Sequence, residues 1–450
     1  MIQDHEEKTL LQKFADHIDW VMILALFYLI GTGLITIFSA TLHSGHPEKF
    51  MVTQTAAIAI GVAGMIFLTG FNYQYFRQML PYIYIISLVV MVTVLVGGST
   101  VRGTKGWFHL GYFSFQPVEV VKLLYILVIA GFLDSRWRDT KKFSVFAAGL
   151  ALLGGHVLLI LMQPDFGSTL SYFPVTLVLM FVAGVEPLYI GGAIIMGGIA
   201  VGIPLLTTFF RLQPDLLIIH PRLQYLVSAV GNLKHASIIL GSITAFLFTA
   251  CWFLRQLKIN VSWLLPLLLT GIIVAGSYSS LVVEHSLKEY QRKRLIVFLN
   301  PEIDALGSGY NIIQSKIAIG SGKIFGKGLF SGTQSQLGFL PEQHTDFIFA
   351  VHGEEGGYLW AQMTIIFYFL LVWRAMLIAR ESRDRYGSLV ATGLATMFAF
   401  YAVINIGMVM GLMPATGLPL PFLSYGGSSM VGSLWGIGLL LSIHIRRFTH

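Results

Sequence analysis

Apolar runs of about twenty residues recur along this chain, and each is long enough to cross roughly 30 Å of hydrocarbon as a helix. Twelve are expected, at 19–40, 51–71, 80–97, 117–134, 144–162, 168–184, 187–209, 235–255, 262–283, 357–379, 388–411 and 428–445. Backbone N–H and C=O groups in hydrocarbon must pair within their own segment, so such runs fold as helices, and the expected class is an all-α polytopic membrane protein. The composition agrees, with 55% hydrophobic residues, 11% charged residues and 33 Phe. A mean hydropathy of +0.74 lies outside the range of ordinary soluble domains.

The first twenty residues, MIQDHEEKTLLQKFADHIDW, carry acids where a cleavable signal carries positive charge, so no cleaved signal is expected. The single cysteine, Cys251, rules out an internal disulfide and a cysteine-built zinc site. A net charge of +7 in such a chain reflects cationic cytoplasmic loops and gives no reason to expect nucleic acid. With the N-terminus inside, the inside loops hold 15 of the 29 Lys and Arg, SRWRDTKK (135–142) and RAMLIARESRDR (374–385) among them. Both termini are therefore expected in the cytoplasm. The long 284–356 segment is expected outside, within a chain read as a single membrane domain (1–450).

Chemistry-bearing residues concentrate in that segment. EYQRKRLIVFLNP (289–301) sets Arg292 and Arg294 ahead of an apolar patch, a pattern suited to the membrane interface. The following glycine-rich stretch carries Lys316, Lys323 and Lys327. Glycine lets amides approach an anion and lysine supplies charge for phosphate, although such loops also simply turn. FLPEQHTDFIFAVHGEEGG (339–357) then gathers Glu342, His344, Asp346, His352, Glu354 and Glu355 just before an apolar run. A carboxylate at an apolar surface is partly desolvated and becomes a better base near neutral pH. The alternative is a cap, with Asp346 opening a helix and Glu354 and Glu355 capping the span from 357. The histidine and acid spacing fits no standard metal site.

Two further features sit inside apolar segments, where a charge costs about 2.5–3.5 kcal/mol. Glu119 and Lys122 in FQPVEVVKLL are three apart and share a helix face, either as a neutralised pair or as the lining of a polar cavity. Asp165 in MQPDFGS can accept a hydrogen bond or cap the next helix. LMPATGLPLPFLSYGGSS (412–429) has three prolines and three glycines, too stiff for a helix and too apolar for a free loop, and is expected to fold back as a cavity wall.

The blocks QPVEVVK, QPDFGS, FLNPEIDALGSGYNIIQSKIAIGSG, GTQSQLGFLPEQHTDFIFA, EEGG and PLPFLSYGGSS resemble the signatures of the SEDS family (shape, elongation, division, sporulation), closer to its RodA branch than to FtsW. The resemblance runs from about residue 20 to 447. It implies a membrane glycosyltransferase that polymerises lipid II into peptidoglycan strands with a class B penicillin-binding protein, in activity associated with a divalent cation such as Mg or Mn. It places the family's essential acid on Asp346, its Glu–Lys pair on Glu119 and Lys122, and a further aspartate on Asp165. Arg292, Arg294, Lys316 and Lys327 become candidates for the pyrophosphate, and Glu342 and His344 flank the base. Three departures stand out: Gly106 occupies the family's arginine position, Val118 replaces a serine, and 235–283 reads as a helix pair added to a ten-span core. The rival readings are a lipid II flippase or other transporter, a division-type polymerase, and a scaffold for the crosslinking enzyme.

Overall fold

The computed structural model describes residues 18–101, 103–110, 113–212, 233–258, 262–286, 297–298, 300–304 and 307–447. The helices run α1 (Trp20–Thr41), α2 (Pro47–Gly70), α3 (Gln74–Gln78), α4 (Leu80–Gly97), α5 (Val118–Ser135), α6 (Phe143–Met162), α7 (Phe166–Val182), α8 (Pro187–Leu212), α9 (Leu233–Gln256) and α10 (Leu264–Ser286). They continue as α11 (Ser308–Ser321), α12 (Thr333–Gln336), α13 (Ile348–Glu381), α14 (Arg385–Val409) and α15 (Gly427–Arg446). Among the described residues, nine helices are long and apolar enough to span a bilayer, and α7 and α10 contain shorter apolar stretches. Helix α5 spans 18 residues and carries Glu119, Lys122 and Asp134, all buried. This is an all-α polytopic membrane architecture.

The chain divides into two compact units, Met1–Val185 with Asn311–His450, and Glu186–Tyr310. In the smaller unit α10 packs on α8 and α9, and Gly276 lies against Ile199 where α8 and α10 meet. The expected pair at 235–283 therefore sits in one compact unit with α8. In the larger unit α15 packs along α2, and α14 packs against α5, α7 and α13. Helices α5, α14 and α15 are the most enclosed of these, and their buried side chains form the core.

Among the described residues one small sheet interrupts the helices, in a stretch with no strand signal in its sequence. Strands β1 (Ser99–Val101), β2 (Thr104–Leu110) and β3 (Phe113–Phe115) pair antiparallel in the order β1-β2-β3. Val101 pairs with Thr104, so a two-residue turn through Gly103 (φ 83°) closes the first hairpin. Such a turn needs positive φ, which glycine supplies.

Helix α13 differs most from expectation, starting at Ile348 instead of 357 and breaking at Gly357 (φ 68°, ψ −170°). The EEGG block is thus part of its first, buried piece and caps nothing at 357. In a continuous helix Tyr358 and Leu359 would donate to the carbonyls of Glu354 and Glu355. Instead they donate to Lys323 O (2.8 Å) and Ile324 O (3.2 Å), while those carbonyls accept from the amides of Lys327 (3.0 Å) and Gly328 (3.1 Å). Residues 323–328 are threaded through the break and restore the lost hydrogen bonds. A Cβ on Gly357 would collide with the Gly326 amide.

Gly357→Ala is accordingly expected to cost at least about 2 kcal/mol, from the strained φ and the collision together. Gly31→Ala, where an added Cβ meets nothing within 4 Å, is expected to be neutral or slightly stabilising. Thermal unfolding of the detergent-solubilised protein compares them; equal midpoints would mean the break does not depend on its glycine.

Candidate active site

The site is built where non-helical segments meet one end of the bundle. Residues 412–426 leave α14 and run inward to α15, as expected of a cavity wall. Gly33 of α1 lets them approach closely, since a Cβ there would stand 2.7 Å from Phe422 O. The Tyr368 hydroxyl donates to Pro421 O. Gln54 Nε2 donates to Ser424 O (3.3 Å) and its Oε1 accepts from the Gly426 amide (3.1 Å). Ser424 Oγ accepts from Leu420 N (2.8 Å) and donates to Thr345 O (2.7 Å).

That last bond ties the wall to the HTDF block. Tyr425 N donates to His344 O (2.9 Å), and the rings of Phe50, His344 and Tyr425 pack mutually at 5.0–5.5 Å. Burial pushes the Tyr425 hydroxyl above its usual range and keeps it protonated. Asp346 is half-buried, and its carbonyl accepts from Asn405 Nδ2 of α14 (3.0 Å). Helix α13 starts after Phe347 with no capping bond from that residue's side chain. Glu342 adopts φ 54° and its carbonyl accepts from Thr345 Oγ1 (3.3 Å), shaping the turn into Asp346.

The Glu119–Lys122 pair is formed within α5 at 3.0 Å and is buried, at 9% and 5% side-chain exposure. The Lys122 ammonium also stands 4.5 Å from the centre of the Tyr401 ring. Tyr401 and Asn405 are four apart on α14 and share one face, about 6 Å along the axis. Helix α14 therefore presents the Lys122 ammonium and the Asp346 backbone on one side, a turn apart. Asp165 caps α7 through the Ser168 amide (2.9 Å) and Ser168 Oγ (2.7 Å), and accepts from Gln116 Nε2 (3.1 Å). The Gln116 amide in turn donates to Ser428 Oγ at the start of α15 (2.7 Å). Gly106 lies against Gln163 and Gln116, so the departure from the family's arginine falls beside the amide that holds Asp165.

The lysines divide. Lys327 donates to Glu354 (2.9 Å) and Thr333 Oγ1 (2.6 Å), so its ammonium offsets a protein carboxylate in this structure. Glu354 is fully buried and also accepts from the amides of Gln334 (2.9 Å) and Ser335 (3.2 Å), closing the N-terminus of α12. Glu355 accepts from Ser39 Oγ and Gln336 Nε2 and fixes the same loop to α1. Lys316 is exposed and lies over Gly411 at the C-terminal end of α14. That is about 9 Å along the axis from Asn405. Arg292 and Arg294 lie outside the described residues. Among the described residues no three His, Cys, Asp or Glu side chains are placed to share a metal ion.

Sequence reasoning missed Asn405 and Gln54, single amides in apolar helices whose only signal was a polar residue where hydrocarbon is expected. It also missed the structural duty of Glu354 and Glu355.

A bundle of bilayer-length helices with ionisable groups gathered at one end defines an integral membrane protein. Residues 19–220 and 226–448 match the family described as cell cycle protein, of the FtsW, RodA and SpoVE type, and the chain belongs to that family. The peptidoglycan glycosyltransferase RodA of Treponema pallidum is 34% identical over 95% of this chain and 98% of its own. The peptidoglycan glycosyltransferase MrdB of Escherichia coli K12 is 32% identical over 99% and 98%. Among solved structures, a chain of a peptidoglycan synthase complex aligns with TM-score 0.64 at 24% identity, covering 96% of this chain and 99% of that one. The rod shape determining protein RodA of Thermus thermophilus aligns with TM-score 0.58 at 22% identity, over 96% and 98%. The fold is that of RodA.

Lys122→Met is expected to strand the buried Glu119 carboxylate and cost roughly 3–5 kcal/mol. The double variant Glu119→Gln/Lys122→Met should recover most of that stability in thermal unfolding without recovering activity. A single variant as stable as the double would mean the two charges do not depend on each other.

Proposed function

We propose that this chain is a peptidoglycan glycosyltransferase that polymerises lipid II into glycan strands during elongation and rod-shape maintenance, with Asp346 as its base. Family membership and the names of the relatives support the activity. One observation carries the site: Asp346 and the Lys122 ammonium are referenced to the same face of α14, through Asn405 and Tyr401.

The reaction is an inverting glycosyl transfer. Asp346 takes the proton from the 4-hydroxyl of the acceptor N-acetylglucosamine, and that oxygen attacks the anomeric carbon of the other substrate's N-acetylmuramic acid. The bond from that carbon to the pyrophosphate breaks and undecaprenyl pyrophosphate leaves. One base suffices, because pyrophosphate is a good leaving group once cations offset its charge. Lys316, Lys327 and Lys122 are the candidates for that task among the described residues, and Arg292 and Arg294 are candidates by sequence. Glu119 and Asp165 hold the cavity wall in register, and Glu342 and His344 shape the turn that presents the base. Among the described residues no donor set fits a protein-built metal site, so Mg or Mn would enter on the substrate's own phosphates.

Charge bias supports a bacterial cytoplasmic membrane location with both termini inside and Asp346 outward, where lipid-linked sugars are joined. The partner in this reading is a class B penicillin-binding protein, consistent with the likeness to a chain of a synthase complex.

Polymerisation of fluorescent lipid II by the purified complex, with crosslinking blocked by a β-lactam, tests the reading. Asp346→Asn is expected to lower the rate by at least about two orders of magnitude while the complex stays folded. Equal strands from both proteins would remove Asp346 from the chemistry. No strands from either, with lipid II translocation instead, would favour a flippase.

A further inference from the structure

Asn405 is wholly buried in a helix that is otherwise apolar along most of its length. Its Nδ2 donates to two main-chain carbonyls from separate segments, Asp346 O (3.0 Å) and Leu418 O (2.7 Å). An amide has two N–H donors, and here both are taken. The opposite rotamer would set Oδ1 against two carbonyl oxygens, so this pairing fixes the amide's orientation. Oδ1 itself makes no hydrogen bond among the described residues, so the two carbonyls alone determine where the group points.

Both carbonyls belong to backbone that has left regular structure. Asp346 ends the turn before α13, and Leu418 follows Gly417 (φ 74°) in the folded-back wall. Neither segment has a ladder to hold it. Two other ties join them, Ser424 Oγ to Thr345 O (2.7 Å) and Tyr425 N to His344 O (2.9 Å), and both act before Asp346 and from the wall alone. Asn405 is the contact that refers both to a rigid helix, one turn from the Tyr401 ring under Lys122.

Resting on the reading of Asp346 as the base, we propose that Asn405 is a positioning residue: its carboxamide fixes the Asp346 main chain against α14 and so sets the distance between base and acceptor hydroxyl. Buried at 0% exposure, it acts on the reaction through Asp346 and not by touching sugar. Loss of the tie lets the carboxylate wander, and a displacement near 1 Å can cost about a hundredfold in rate. Substrate affinity, set elsewhere along the lipid and phosphate contacts, should hardly change.

The test measures kcat and KM for fluorescent lipid II with the complete complex of Asn405→Leu, normalised to folded complex, beside Asp346→Asn. Asn405→Leu is expected to lower kcat by about tenfold to a hundredfold with KM within about twofold. Asn405→Gln, which keeps both donors but sets them one methylene further out, is expected to fold and to lose kcat by about tenfold; it decides the matter if the leucine variant does not assemble. Unchanged kcat in a folded variant, or a raised KM with kcat intact, overturns the proposal and leaves the base in place. Wild-type kcat in Asp346→Asn removes the base itself, and the role of Asn405 with it.

Discussion

Backbone that leaves a helix inside an apolar environment must find new partners for its N–H and C=O groups, and this constraint governs the site. Each unsatisfied group costs several kcal/mol away from water. The chain breaks regular structure in three places at one end of the bundle: at Gly357 in α13, in the turn leading to Asp346, and through 412–426. The first break is repaired by another strand of backbone, 323–328, which supplies two carbonyls and two amides where the helix lost its own. The other two are repaired by side chains.

Those side chains are predominantly neutral. Asn405 holds Asp346 and Leu418, Gln54 holds Ser424 and Gly426, Gln336 donates to Ser39 O (3.3 Å), and Gln343 donates to Ala40 O (2.7 Å). An amide offers two donors and an acceptor without the desolvation cost of a charge, so it can join carbonyls at depth. Where the chain does bury charge it compensates, as with Glu119 by Lys122 and Glu354 by Lys327 together with two amides.

The sequence revealed much of this because membrane helices announce themselves one at a time. Length and apolarity place α1, α2, α4, α6 and α15 within a few residues. The three-residue spacing of Glu119 and Lys122 predicted a shared face, and Asp165 before FGS predicted a cap; both are formed. What escaped depends on contacts far apart in the chain. Nothing near Glu354 reveals that its carboxylate serves residues 333–335, about twenty positions earlier, so it read as a cap for the residues beside it. The strands at 99–115 are short, and no alternation in the sequence marked them. Asn405 acts on partners 59 and 13 residues away, and within its own helix it looked like a flaw in an apolar run.

The same geometry bears on how two substrates can be joined while both remain in lipid. In the proposed reaction a bilayer-anchored sugar can vary its depth, but the reacting oxygen needs a base at one height. Depth along the normal is best defined by a rigid helix, and α14 carries the group that fixes Asp346 and the ring that receives Lys122 on consecutive turns of one face. The non-helical parts of the site, the turn at 342–346 and the folded wall, are each tied back to that helix or to α2. A loop could present the same residues, but it could not hold them at a set level in the membrane. The fully buried Asn405 accordingly belongs to an enclosed helix of the bundle and not to the turn it holds.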